Sequence, residues 1–141
     1  MLGQLFIIGV VTPVGDREMP TIVHFDVPVD DTERAKKFYE ALFGWKIEKM
    51  PGPMEYYGIM TTNEQGEEAV GGGMAKREAQ SDSITNYIGV PSIDEYMEKV
   101  EKLGGEVIMP KTPIPGYGFL AVCLDTEKNK FGLWQEDETV P

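Results

Sequence analysis

Between residues 21 and 28 apolar and polar positions alternate, and the apolar ones are mostly β-branched or aromatic, which predicts a half-buried strand. From residue 32 the period lengthens. Ala35, Phe38, Tyr39 and Leu42 recur at helical spacing and predict an amphipathic helix over 32–43. Asp30-Asp31-Thr32 supplies side-chain oxygens for its first free N–H groups, and Gly44 closes it. Trp45 to Met50 reads as a second strand, ended by Pro51-Gly52-Pro53, and Tyr56 to Thr61 as a third. The polar Thr62–Gly66 segment is a hairpin loop, and residues 68–75 return as a fourth strand.

The same order then recurs. Ser83 to Val90 predicts a strand, and Pro91-Ser92-Ile93-Asp94 opens a helix. Tyr96, Met97, Val100 and Leu103 form its buried stripe, and Gly104-Gly105 stops it. Glu106–Met109 is a strand, Lys111–Gly116 a proline-rich loop, and Phe119–Leu124 a strand. Asp125–Asn129 is a turn, and Lys130–Glu136 is the last strand. Local sequence repeats as well: Ile22-Val23-His24-Phe25-Asp26-Val27-Pro28 is answered by Thr85-Asn86-Tyr87-Ile88-Gly89-Val90-Pro91, and Tyr57-Gly58-Ile59-Met60 by Tyr117-Gly118-Phe119-Leu120. Gly58 and Gly72 have the same separation as Gly118 and Gly132.

A βαβββ order used twice predicts an α+β fold of two tandem modules, 20–79 and 82–137, within one domain over 20–137. Each short sheet has one face for its helix. The expectation is a curved mixed sheet around a shared cleft, with equivalent positions of the two copies facing one another. Residues 1–19 have no counterpart in the repeat and are expected to be an N-terminal extension.

Composition narrows the partners. Thirteen basic against 24 acidic residues give a net charge of −11, and no dense Lys/Arg cluster is present to follow a phosphate backbone. Nucleic acid is therefore excluded as an expected partner. Leu5–Val11 is too short to span a bilayer and lacks a basic flank, so the expectation is a cytoplasmic protein without a membrane partner. The single cysteine, Cys123, rules out an intrachain disulfide and sits in an apolar run that predicts a buried, inert thiol.

Val27-Pro28, then Arg34-Ala35-Lys36-Lys37-Phe38-Tyr39 and Leu42-Phe43-Gly44-Trp45, resemble the glyoxalase/bleomycin resistance/extradiol dioxygenase superfamily, the vicinal oxygen chelate proteins. Leu103-Gly104-Gly105 and the closing Asp125–Trp134 segment strengthen the likeness, which points to the branch related to lactoylglutathione lyase. The resemblance implies a divalent metal in the cleft, held by His or Gln on the first strand of each copy and Glu on the last. In this chain those positions fall on Ile22, Thr85, Gly72 and Gly132. Transition ions require imidazole, thiolate or carboxylate donors, and a catalytic site commonly takes three from the protein. The expectation is no metal ligand and no cofactor, with a divalent metal as the alternative.

His24, the sole histidine, shares the strand face of Ile22 and is the candidate catalytic base or ligand contact. Asp26 lies one step further along that face, and Tyr87 is the second-copy counterpart of His24. Trp134 and Met74 are expected as apolar walls, and Gly72 and Gly132 as the room left for a ligand. Gly71-Gly72-Gly73 is no phosphate loop, because the Lys-Ser/Thr that such a loop needs does not follow it.

The function expected on these grounds is binding of a small organic molecule in the inter-module cleft by a metal-free member of the family, whether it sequesters or catalyses. The alternative is a metal-dependent lyase or isomerase resembling lactoylglutathione lyase. A third reading, a non-catalytic subunit that binds a protein, has no residue of its own. A homodimer is the expected assembly.

Overall fold

A computed structural model describes residues 20–52 and 55–141. The expected extension 1–19, with its apolar run, lies outside the described residues, as does Pro53. The described chain forms two compact units, one of His24–Ile84 and one of Thr85–Pro141 with residues 20–23.

In the first unit β1 (Thr21–Val29, whose residues 21–23 count with the second unit) leads to α1 (Thr32–Phe43), β2 (Lys46–Lys49), β3 (Tyr56–Met60) and β4 (Gly71–Lys76). The strands lie in the order β2-β3-β4-β1, with β1 and β4 parallel and the other pairs antiparallel. The second unit repeats this with β5 (Thr85–Gly89), α2 (Ile93–Lys102), β6 (Glu106–Ile114), β7 (Gly118–Leu124) and β8 (Lys130–Glu136). Its order is β6-β7-β8-β5, again with the first and last strands parallel. The fold is α+β with mixed pairing, and βαβββ is used twice.

Both helices start where their caps dictate. The Asp31 carboxylate accepts from the Arg34 N–H at 3.0 Å, and this bond is the main reason its pKa lies below the usual 3.8. Ser92 caps α2 in the same way through the Glu95 N–H. Gly44 ends α1 in the left-handed region, at φ 72°, which only a residue without Cβ adopts cheaply.

Each helix covers one face of its own sheet. Val27, Val29, Ile47, Tyr57, Ile59 and Met74 form the first core, with Ala35, Tyr39 and Trp45 packed against it. Val90, Ile93, Ala121, Cys123 and Leu133 form the second, under Tyr96, Met97 and Val100 of α2. Two of the four expected core positions on α1 stay outside: Phe38 is 58 % exposed and Leu42 57 %. The contact of α1 with its sheet is narrow and runs through Ala35 and Tyr39. Leu103, expected in the α2 stripe, is 78 % exposed because it is the C-cap, beyond the last helical residue.

The expected loop at 111–116 is largely strand, since β6 continues to Ile114 through Pro110 and Pro113. Register shifts after Val107 and Met109 absorb the irregularity. Proline fits because β6 ends the strand order and pairs with β7 alone among the described strands.

Cys123 is fully buried in β7, and desolvation, helped by Glu101, pushes its thiol up to about 11 from 9.0. Folding thus favours the protonated thiol, a contribution present below pH 9.0 and lost as pH rises through about 11. At pH 8 iodoacetamide should leave native Cys123 unmodified while alkylating it fully in urea. Rapid native alkylation, read by mass spectrometry, would contradict this burial. No helix among the described residues is long and apolar enough to cross a membrane.

Candidate functional site

Strand alternation sends His24 and Asp26 to the face of the first sheet opposite α1, since Phe25 and Val27 between and beyond them belong to the helix side. Spacing by two puts the imidazole and the carboxylate side by side, with His24 Nε2 3.0 Å from Asp26 Oδ1. A third residue joins from β3: the Tyr56 hydroxyl donates to the same Oδ1 at 3.3 Å. All three are buried, His24 completely. Donation by Nε2–H to the carboxylate fixes the orientation of the imidazole ring.

Tyr56 was not among the expected site residues. The repeat paired Tyr57 with Tyr117 and drew attention one position too far. Alternation along β3 is the signal that separates the two tyrosines, because Tyr57 enters the helix-side core and Tyr56 therefore faces Asp26. Gly73, opposite Asp26 and also opposite Gly58, makes the space. A Cβ there would overlap the Tyr56 hydroxyl and lie 2.8 Å from Asp26 Oδ1.

Two expected members do not join this array. Gly72 stands opposite Phe25, and a Cβ on it would meet the Phe25 ring at 2.7 Å. Met74 stands opposite Val27 and is part of the core. Both therefore face the helix side, which corrects their expected placement beside His24. Matching the Gly58–Gly72 and Gly118–Gly132 spacings puts β4 out of register by one residue, and one residue in a strand exchanges the faces. His24 is opposite Gly71, as Tyr87 is opposite Gly132, so Gly71 is the true counterpart of Gly132.

In the second unit Tyr87, Gly132 and Trp134 do share the face away from α2. Tyr87 pairs with Gly132 and Gly89 with Trp134. A Cβ on Gly132 would fall within the Tyr87 ring, 2.8 Å from its Cγ. Leu120 and Val122 supply fully buried apolar neighbours on that face through their pairing with Trp134 and Gly132. Trp134 is 1 % exposed, and its Nε1–H meets no hydrogen-bond acceptor among the described residues.

The divalent metal implied by the resemblance can be tested against these donors. Among the described residues no group of three His, Cys, Asp or Glu is arranged to hold an ion. His24 and Asp26 are bonded to one another, Ile22 has no donor atom, and Thr85 offers only a neutral hydroxyl. This donor set does not fit a three-ligand transition-metal site.

Comparison with known proteins agrees with the architecture. The family described as "Bleomycin resistance protein-like N-terminal" matches residues 21–63. The "Putative glyoxylase CFP32" of Mycobacterium tuberculosis is 31 % identical over 118 residues, covering 82 % of this chain and 45 % of that protein. The chain thus spans a little under half the length of this relative and of its Mycobacterium bovis counterpart. Methylmalonyl-CoA epimerase from Streptomyces coelicolor superposes with a TM-score of 0.62 at 10 % identity, over 84 % of this chain and 99 % of that one. A glyoxalase/bleomycin resistance protein/dioxygenase superfamily member from Vibrio splendidus gives 0.60 at 9 % identity, over 84 % and 100 %. At such identities these two structures speak for the fold alone. The family match, the mycobacterial relatives and the doubled βαβββ order together support the glyoxalase/bleomycin resistance/dioxygenase superfamily as the family of this chain.

Proposed function

We propose that the chain binds a small organic molecule bearing a carbonyl or carboxylate oxygen, and that it does so without a divalent metal. The observation that carries this reading is the Trp134 indole N–H, buried on an apolar face with no acceptor among the described residues. A buried donor left unsatisfied costs about 1–3 kcal/mol, which a ligand oxygen would recover. Around it Leu120, Val122 and the Tyr87 ring supply the apolar wall that a small-molecule site combines with a few directed polar groups. The His24–Asp26–Tyr56 array in the first unit supports a polar role of its own, through an imidazole held in one orientation.

A thermal-shift screen of small oxo acids and carbonyl compounds tests the reading, with Trp134→Phe as the decisive variant. Phenylalanine keeps an aromatic ring and removes the donor, so binders should lose roughly tenfold in affinity. Undiminished binding to Trp134→Phe would refute the assigned role of the indole. His24→Gln and Tyr87→Ala, run in parallel, report whether those side chains contribute.

The metal question has its own outcome. Elemental analysis after exposure to Ni, Zn, Mn or Fe and desalting should find less than stoichiometric metal, equal in wild type and His24→Ala. One ion per chain, lost on His24→Ala, would instead favour the metal-dependent lyase or isomerase reading.

A further inference from the structure

We infer a second ligand site on the first unit, a groove beside the start of α1 that takes an anionic amphiphile with a flat apolar body. The groove encloses about 620 Å³, within the ~300–1,000 Å³ typical of small-molecule sites. Val27 and Val29 line it, and they lie on the helix side of β1, opposite His24 and Asp26. It is therefore a different place from the array described above, and it does not depend on the reading of Trp134.

Its walls are already built. Arg77 donates to Asp30 at 3.1 Å, to the Asp82 carbonyl at 2.7 Å and to the Pro28 carbonyl at 3.3 Å, tying the end of β1 to the segment that leads to Ile84. The Asp82 carboxylate accepts from the backbone N–H groups of Glu78 and Ala79, which fixes that segment further. On the other side Phe38 rests edge-on against Tyr39, with ring centroids 5.3 Å apart, and Tyr39 stacks on Trp45. Phe38 and Ile84 both line the groove and are 58 % and 55 % exposed, so it presents two large apolar side chains to solvent.

Charge decides which amphiphile fits. Asp30 is paired with Arg77, and Asp31 uses its carboxylate to cap α1. Arg34 also lines the groove, where its guanidinium acts on the nearby Asp31 carboxylate only through its field and forms no ion pair within 4.0 Å among the described residues. In a chain of net charge −11, which repels anions at long range, this cation supplies the local attraction for a carboxylate, sulfonate or phosphate head. Apolar walls with one forked cation at the first turn of a helix suit an aromatic or polycyclic body carrying a single anionic group.

The test uses 1-anilinonaphthalene-8-sulfonate as the probe, with the full chain titrated at low and moderate salt. One molecule should bind per chain with enhanced fluorescence, and added salt should weaken binding. Phe38→Ala should weaken it roughly tenfold through lost apolar contact. Arg34→Gln should weaken it and remove most of the salt dependence. Both side chains are exposed, so circular dichroism and the melting temperature should stay at wild-type values. Trp134→Phe should bind the probe as wild type does, which separates this site from the one proposed above. The inference fails if Phe38→Ala and Arg34→Gln both bind as tightly as wild type, or if Trp134→Phe abolishes binding.

Discussion

Gly73→Ala is expected to destabilise the protein by about 3 kcal/mol or more, at the upper end of overpacking in a well-filled interior. The new methyl group would have to occupy the position of the Tyr56 hydroxyl and press on Asp26 Oδ1. Neither neighbour can yield easily, because Tyr56 and Asp26 are buried and bonded to one another. Urea unfolding should show a lower midpoint at nearly constant slope. Shortening the opposing side chain should restore part of the loss, so Gly73→Ala with Tyr56→Leu should be more stable than Gly73→Ala alone. Gly132→Ala, directed into the Tyr87 ring, is the matching experiment in the second unit, with Tyr87→Leu as its rescue. Wild-type stability of both alanine variants would show that the strands separate more freely than their register implies.

Asp26→Ala should be nearly as damaging, for a different reason. Its Oδ1 accepts from two buried donors, His24 Nε2–H and the Tyr56 hydroxyl. Removing a shared acceptor takes a bond from each, and at about 1–3 kcal/mol for each buried donor the loss is at most roughly 2–6 kcal/mol. Adding Tyr56→Phe removes one of these donors, so the double variant should lose less than the sum of the single losses. The imidazole gives an independent readout, because His24 is the sole histidine and every histidine signal in an NMR spectrum belongs to it. Nitrogen-15 shifts should report the Nε2–H tautomer in wild type and a mixture of tautomers in Asp26→Ala. Unchanged tautomer populations would mean that the carboxylate does not orient the ring.

The parts of the fold that were legible from sequence are those where period and punctuation agree. Over α1, Ala35 and Tyr39 mark the helical period, Asp31 caps the start and Gly44 the end, and the observed bounds Thr32–Phe43 match the expected ones. Lys130–Glu136 was equally clear, since alternation follows a turn in which Asp125 binds the backbone N–H groups of Glu127 and Asn129. The proline-rich stretch before Gly116 misled because a proline signals a loop unless the strand is known to lie at an edge, and that is a property of the whole topology. Phe38 and Leu42 illustrate the same limit: helical spacing shows that a face is apolar, not how much of it the sheet covers.

The candidate site was legible in its first strand and less so beyond it. His24 and Asp26 share a face because they are two residues apart, and that needs no knowledge of partners. Tyr87, Gly132 and Trp134 could be placed together for a similar reason, with the register of β5 against β8 supplying the rest. Gly72 and Met74 were misplaced because three consecutive glycines offer no side chain to mark the face, so a slip of one residue has nothing to oppose it. Tyr56 escaped notice because its partner Asp26 lies 30 residues earlier in the chain.

The two prolines of β6 also bear on how the chain behaves at high concentration. A terminal strand with a regular ladder of amide hydrogens invites a strand of another molecule to add to it, which is how soluble sheets seed fibres. Pro110 and Pro113 carry no amide hydrogen, and the register shifts near them further break up the row of donors. That border of the sheet is therefore a poor template for intermolecular strand addition, and the stretch that looked like a loop helps to keep the chain from polymerising through it.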